Sequence, residues 1–150
     1  MARLREASGA ADLESARQLF TEYAQLVDEP ECFAGFGEEL VELAERYPVL
    51  LLAEAHGAAI GCVALRELDP RTAEMKRLYV RSSHRGLGIG RRLAQAAIAA
   101  ARNRGYARIV LDSLPTMRAA LALYRSLAFR EIEPYLAEPT PGARCFELTL

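Results

Sequence analysis

Lysine is almost missing from this chain: Lys76 is the only one, and arginine supplies the rest of the 19 basic residues. Arginine and alanine share GC-rich codons, so this bias points to a GC-rich bacterial genome and says nothing about function. Cysteine is also scarce, with three in 150 residues. An odd, small number excludes a disulfide framework. Cys32, Cys62 and Cys145 lack metal-ligand spacing and read as ordinary free thiols, so no metal is expected. His56 and His84 have no serine or cysteine placed beside them for nucleophilic chemistry. No apolar run approaches the ~18–20 residues of a membrane span. The opening residues Met1 to Glu6 lack the apolar core of a signal peptide. Neither sign of charge dominates. The formal net charge is −1, which argues against nucleic acid or a membrane surface as partner. The expectation is a cytoplasmic protein, monomer or homodimer.

What is present is ordinary for a globular domain: 51% hydrophobic and 26% charged residues. The length fits one domain over residues 1–150. Residues 2–7 read as a short strand. Leu13, Ala16, Leu19, Phe20, Tyr23, Leu26 and Val27 recur at helical spacing, in a helix that opens at Ser8 or Gly9 and stops near Glu29, before Pro30. A second helix is predicted over Phe36 to Arg46. Then the period changes. Val49 to Ala53 is a continuous apolar run and reads as a buried strand. Ala59–Leu68 and Ala73–Val80 follow across the turns His56-Gly57 and Asp69-Pro70-Arg71-Thr72, loops short enough to force an antiparallel meander. An alanine-rich helix ends at Gly105, and Arg108 to Asp112 is the next strand, parallel to Ala73–Val80 through a crossover. Pro115 sits near the first turn of a last helix running to about Leu127. Phe129–Glu133 and Arg144–Leu150 are the final strands.

The segment Arg85-Gly86-Leu87-Gly88-Ile89-Gly90-Arg91 carries the most chemical information. Its glycines let backbone N–H groups approach a ligand, and the following helix aims unpaired N–H groups and its positive dipole end at the same spot. That combination suits phosphate or pyrophosphate. Arg81, Arg85, Arg91 and Arg92 surround it, with no acid between residues 81 and 92. A solvated glycine-rich turn is the plain alternative. A Walker loop is excluded, because no Gly-Lys-Ser/Thr follows. A dinucleotide fingerprint fails at its third glycine, where Arg91 stands, although Asp112 lies near where a ribose-binding acid is expected.

Arg85-x-x-Gly88-x-Gly90, preceded by the strand Met75 to Val80, resembles the acetyl-CoA motif Gln/Arg-x-x-Gly-x-Gly/Ala of the GNAT superfamily of acyltransferases. Leu123-Tyr124-Arg125-Ser126-Leu127-Ala128-Phe129 is similar to that family's later Leu-Tyr-x-x-x-Gly-Phe segment, and the element order agrees from end to end. The resemblance implies an α/β fold with a central, mostly antiparallel mixed sheet of about seven strands. It implies a V-shaped splay between the fourth and fifth strands and helices on both faces. Acetyl-CoA is then the acyl donor. Leu78, Tyr79 and Val80 offer backbone groups to its pantetheine arm, and Arg85, Gly86, Leu87, Gly88, Ile89, Gly90 and Arg91 wrap the pyrophosphate. Tyr124 stands where the family often keeps a general acid, and Glu74 where many members keep a general base. Two positions depart from the pattern: Ala128 replaces the usual glycine, and Met117 stands where many members have asparagine, so one polar contact to the cofactor is expected to be lost.

The implied reaction moves an acetyl group to a primary amine of a small molecule or peptide, by direct attack in a ternary complex. A lysine-like amine of pKa about 10.4 must first lose a proton. Glu74 suits that task by position, though a strand-end carboxylate paired with Lys76, Arg77 or Arg66 needs no such role. Tyr124 suits protonation of the leaving thiolate, though it also reads as a core residue. Asp28, Glu29, Glu31, Glu38, Glu39, Glu42 and Glu45 form an acidic run. As a cleft lining it favours a cationic amine; as a solvated helix face it implies nothing. A non-catalytic acyl-CoA-binding module and, further off, a dinucleotide-binding domain are the alternatives.

Overall fold

The computed structural model describes residues 2–150, apart from the side chain of Glu31. Seven strands form one sheet: β1 (Arg3–Glu6), β2 (Val49–Ala55), β3 (Ala58–Asp69), β4 (Thr72–Val80), β5 (Arg108–Ser113), β6 (Arg130–Ile132) and β7 (Arg144–Thr149), in the order β1-β2-β3-β4-β5-β7-β6. The unbroken apolar run of β2 is buried on both faces. Val49, Leu51 and Ala53 belong to one core, and Leu50 and Leu52 to the other. Helices α4 (Ile89–Asn103) and α5 (Arg118–Ser126) cover the first core, with Leu93, Ala94, Ala97 and Ala101 fully buried. Helix α1 (Gly9–Val27) covers the second through Ala16, Leu19 and Phe20, with Leu43 and Tyr47 beside them.

The meander is antiparallel, as its short loops require. His56 and Gly57 both have positive φ, the two-residue turn that matches strand twist. Strands β4 and β5 are parallel but pair only through Thr72↔Arg108, Ala73↔Ile109 and Glu74↔Val110. Beyond Glu74 they diverge, while β7 pairs with β5 along its whole length. The expected splay is therefore present. Strand β4 also carries a bulge: Cys62 pairs with Tyr79 and Ala64 with Lys76, so Arg77 and Leu78 oppose one residue, and Arg77 has φ 61.

One local expectation changes, and two details are added. The stretch 36–46 is two short helices, α2 (Phe36–Val41) and α3 (Leu43–Arg46), broken at Glu42. Glu39 is buried on one side of the break and Leu43 on the other, and each meets a different partner. A 3-10 turn over Pro30–Phe33 precedes them. Pro115 lies in the turn just ahead of α5, near its start as expected.

Candidate active site

Two cavities meet at the mouth of the splay. The first is a groove of about 680 Å³. Of the residues expected to hold acetyl-CoA, Leu78, Tyr79, Val80, Arg85, Gly86, Gly88, Ile89 and Gly90 line it. Gly86 and Gly88 have φ 79 and 78, a conformation that costs other residues about 1–2 kcal/mol. Gly88 ends the loop as the N-cap of α4 without a capping side chain, so the first N–H groups of this 15-residue helix remain free for an anion. Past Glu74, the edge of β4 that faces β5 has no strand partner, as an added extended chain requires.

Not every expected residue points to the groove. Leu87 is 67% exposed and does not line it. Arg91 donates from Nη2 to Ser126 Oγ at 2.6 Å, tying α4 to α5. Arg85 donates from Nε to the Val80 carbonyl at 2.9 Å. Arg81 is engaged elsewhere: Nη2 lies 2.7 Å from Glu22 Oε2, and Nη1 donates to the Ala59 carbonyl.

The second cavity is smaller, about 200 Å³, on the face of the sheet covered by α1 and the segment 30–47. Tyr23, Val27, Leu78, Leu114, Met117 and Tyr124 line both cavities and so mark the junction. Tyr124 is 7% exposed, and its hydroxyl has no hydrogen-bond partner among the described residues. Burial pushes its pKa up, so the hydroxyl keeps its proton at neutral pH. Tyr23 stands beside it, its pKa raised to about 12 by burial. The Tyr23 hydroxyl donates to Met117 Sδ at 3.8 Å and the Ser113 hydroxyl donates to the same sulfur at 3.4 Å. Met117 is thus an acceptor at the junction, where an asparagine is common in the family it resembles.

Glu74 lies outside both linings and is 1% exposed. Tyr135 donates to its Oε2 at 2.5 Å, and Arg66 Nη2 sits 2.8 Å from Oε1 without the alignment of a hydrogen bond. It belongs to the paired part of β4, before the splay opens. Asp112 stands two residues beyond the Val110 pairing and does line the small cavity. Burial raises its pKa, an effect that Lys76 partly offsets. Lys76 lines the same cavity, its pKa lowered by burial. The adjacent Arg77 is buried and donates from Nε and Nη2 to the two Glu39 carboxylate oxygens at 2.9 and 2.7 Å. Its guanidinium also lies 4.4 Å from the Phe33 ring.

Of the acidic run, Glu39 lines the small cavity, where Arg77 holds it, while Asp28, Glu29, Glu38, Glu42 and Glu45 are exposed and the Glu31 side chain lies outside the described residues. Asp112, Lys76 and Tyr23 were not singled out for these roles by the sequence. The signal for the first two was register: the residues two beyond the last β4–β5 pair face one opening.

The fold and the cleft define an acyl-CoA-type transferase, and the comparisons agree. The Acetyltransferase (GNAT) family profile matches residues 13–129. An uncharacterized N-acetyltransferase of Schizosaccharomyces pombe is 37% identical over 137 residues, 87% of this chain and 84% of that protein. An acetyltransferase of Streptococcus agalactiae superposes with a TM-score of 0.84 at 19% identity, covering 99% of this chain and 98% of that one. A GNAT family acetyltransferase of Elizabethkingia anophelis, solved with acetyl-CoA bound, superposes with a TM-score of 0.61 at 26% identity, covering 73% of this chain and 82% of that one. The chain belongs to the GNAT acetyltransferase family and is an acyltransferase. No group of metal-ligating side chains occurs among the described residues, and none of their helices is long and apolar enough to cross a membrane.

Proposed function

We propose that the protein transfers the acetyl group of acetyl-CoA to the primary amine of a small molecule, by direct attack with both substrates bound. The observation that carries this reading is the meeting of the two cavities at Tyr124, one with a glycine loop and a helix start whose N–H groups are free for an anion, and one smaller and lined by polar groups. Acetyl-CoA supplies the activated thioester. The loop Gly86–Gly90 and the start of α4 bind its phosphates, and the free edge of β4 at Leu78, Tyr79 and Val80 binds its arm.

Asp112 takes the first proton from the acceptor ammonium. Its raised pKa makes it a stronger base than an exposed aspartate. Glu74 does not line the cavity and contacts Arg66 and Tyr135, so its part is to hold those side chains. Backbone N–H groups of the unpaired β4 edge stabilise the developing oxyanion. As the C–N bond forms and the C–S bond breaks, Tyr124 gives its proton to sulfur and recovers the second amine proton. One proton ends on the thiol and one leaves to solvent.

The test is thermal unfolding with acetyl-CoA, CoA and NAD, followed by thiol release across a panel of amines. A ligand at 100 times its Kd adds about 2.7 kcal/mol. Stabilisation by acetyl-CoA with amine-dependent thiol release is expected. Stabilisation without release from any amine leaves a binding module, and stabilisation by NAD alone overturns the reading.

A further inference from the structure

The charges around the small cavity do not cancel in the way its pairs suggest. Arg77 is neutralised by Glu39 and Arg66 faces Glu74. Arg46, at the rim, lies 3.4 Å from Glu42 and 4.0 Å from Glu38. Two charged lining residues remain, Lys76 and Asp112, and neither is in an ion pair among the described residues. They occupy equivalent places. Glu74 pairs with Val110, and two residues on, along diverging strands, stand Lys76 on β4 and Asp112 on β5. Side chains alternate along a strand, so both take the face opposite Met75 and Leu111, which lie in the core under α4. The only lysine of the chain is therefore at this opening, half-buried, where an unpaired ammonium is costly.

Resting on the reading of this cavity as the acceptor site, we infer that the acceptor is a free amino acid, whose carboxylate binds Lys76 while its ammonium faces Asp112. A zwitterion with its two charges a few bonds apart complements an unpaired cation and anion that flank one opening. It also fits a volume of about 200 Å³ with Tyr23 and Phe33 in its wall. A peptide N-terminus or a simple alkylamine satisfies Asp112 and leaves Lys76 unpaired.

The test compares thiol release from acetyl-CoA for each L-amino acid and for its carboxamide. The carboxamide amine loses its proton more readily, so a preference for the free acid does not arise from amine reactivity. A charge-assisted contact predicts a kcat/KM about tenfold to a hundredfold higher for the preferred free acid, mainly through KM. Lys76→Met removes that preference and Lys76→Arg retains it, while the melting shift given by acetyl-CoA persists in both. Carboxamides used as well as or better than free acids by the unaltered protein overturn the inference and leave the transferase reading standing. A Lys76→Met variant that loses rate equally on both members of a pair overturns it too. Thiol release with neither class from a protein stabilised by acetyl-CoA overturns both.

Discussion

Replacing Ala128 by glycine is expected to stabilise the protein, and the size of the effect follows from how α5 ends. The Phe129 N–H donates to the Tyr124 carbonyl at 3.0 Å and the Ala128 N–H to the Arg125 carbonyl at 3.0 Å. This is the paired hydrogen-bond pattern of a Schellman motif, in which the residue after the cap is left-handed and glycine is usual. Ala128 has φ 72. The hydrophobic contact of the motif is present as well, with the Tyr124 and Phe129 rings 5.7 Å apart. A left-handed alanine costs about 1–2 kcal/mol. Glycine relieves that strain but gives the unfolded chain more freedom, worth about 0.4–1 kcal/mol. Ala128 is exposed, so its methyl group contributes little burial. The net gain is about 0.5–1 kcal/mol, or a Tm rise of roughly 1–4 °C for a chain of this size. Thermal unfolding followed by circular dichroism reads it directly. Ala128→Val, β-branched and worse in this conformation, lowers Tm. A glycine variant that melts lower than the parent refutes the account of this helix end, and with it the account of how Tyr124 is held.

Gly88→Asp places a side chain and a negative charge at the start of α4, where φ is 78, and abolishes stabilisation by acetyl-CoA in a melting assay. Tyr124→Phe keeps the ring and removes the proton donor; kcat falls by about tenfold to a hundredfold while the Kd for acetyl-CoA, read by calorimetry, stays within a few-fold. Glu39→Gln leaves Arg77 buried without its counter-charge and destabilises the fold by about 3–5 kcal/mol in urea titrations. As the proposed base, Asp112 must be ionised, and burial raises its pKa. The acid limb of kcat/KM therefore falls off above the ordinary aspartate value of about 3.9, and Asp112→Asn removes that limb.

The strands and long helices were legible because their apolar residues keep the period of one element. Val49–Ala53 had no polar interruption and became a strand buried on both faces. The alanine-rich helix after Gly88 had both of its ends marked by glycine. The glycine loop Gly86–Gly90 was legible for a similar reason: its backbone groups are contiguous in sequence. The small cavity was not. Its charged residues come from separate elements, and which of them reaches the cavity depends on register and pairing. Glu74 and Lys76 differ by two positions on β4, yet one is outside the lining and the other lines the opening. The acidic run gave no hint that Glu39 turns inward to meet Arg77, which lies in a bulge with φ 61. The break at Glu42 was hidden by good helix formers on both sides.

Direct transfer in the cleft is tested by the two-substrate initial-rate pattern, with acetyl-CoA varied at several fixed concentrations of the acceptor amine. The cavities meet at residues that carry no activated nucleophile, and burial pushes the nearby Cys32 thiol up, away from the reactive thiolate. Intersecting double-reciprocal lines are predicted, with no acetylated protein detected by intact mass after incubation with acetyl-CoA alone. Parallel lines, together with one acetyl group on the protein that is passed to the amine, contradict the account.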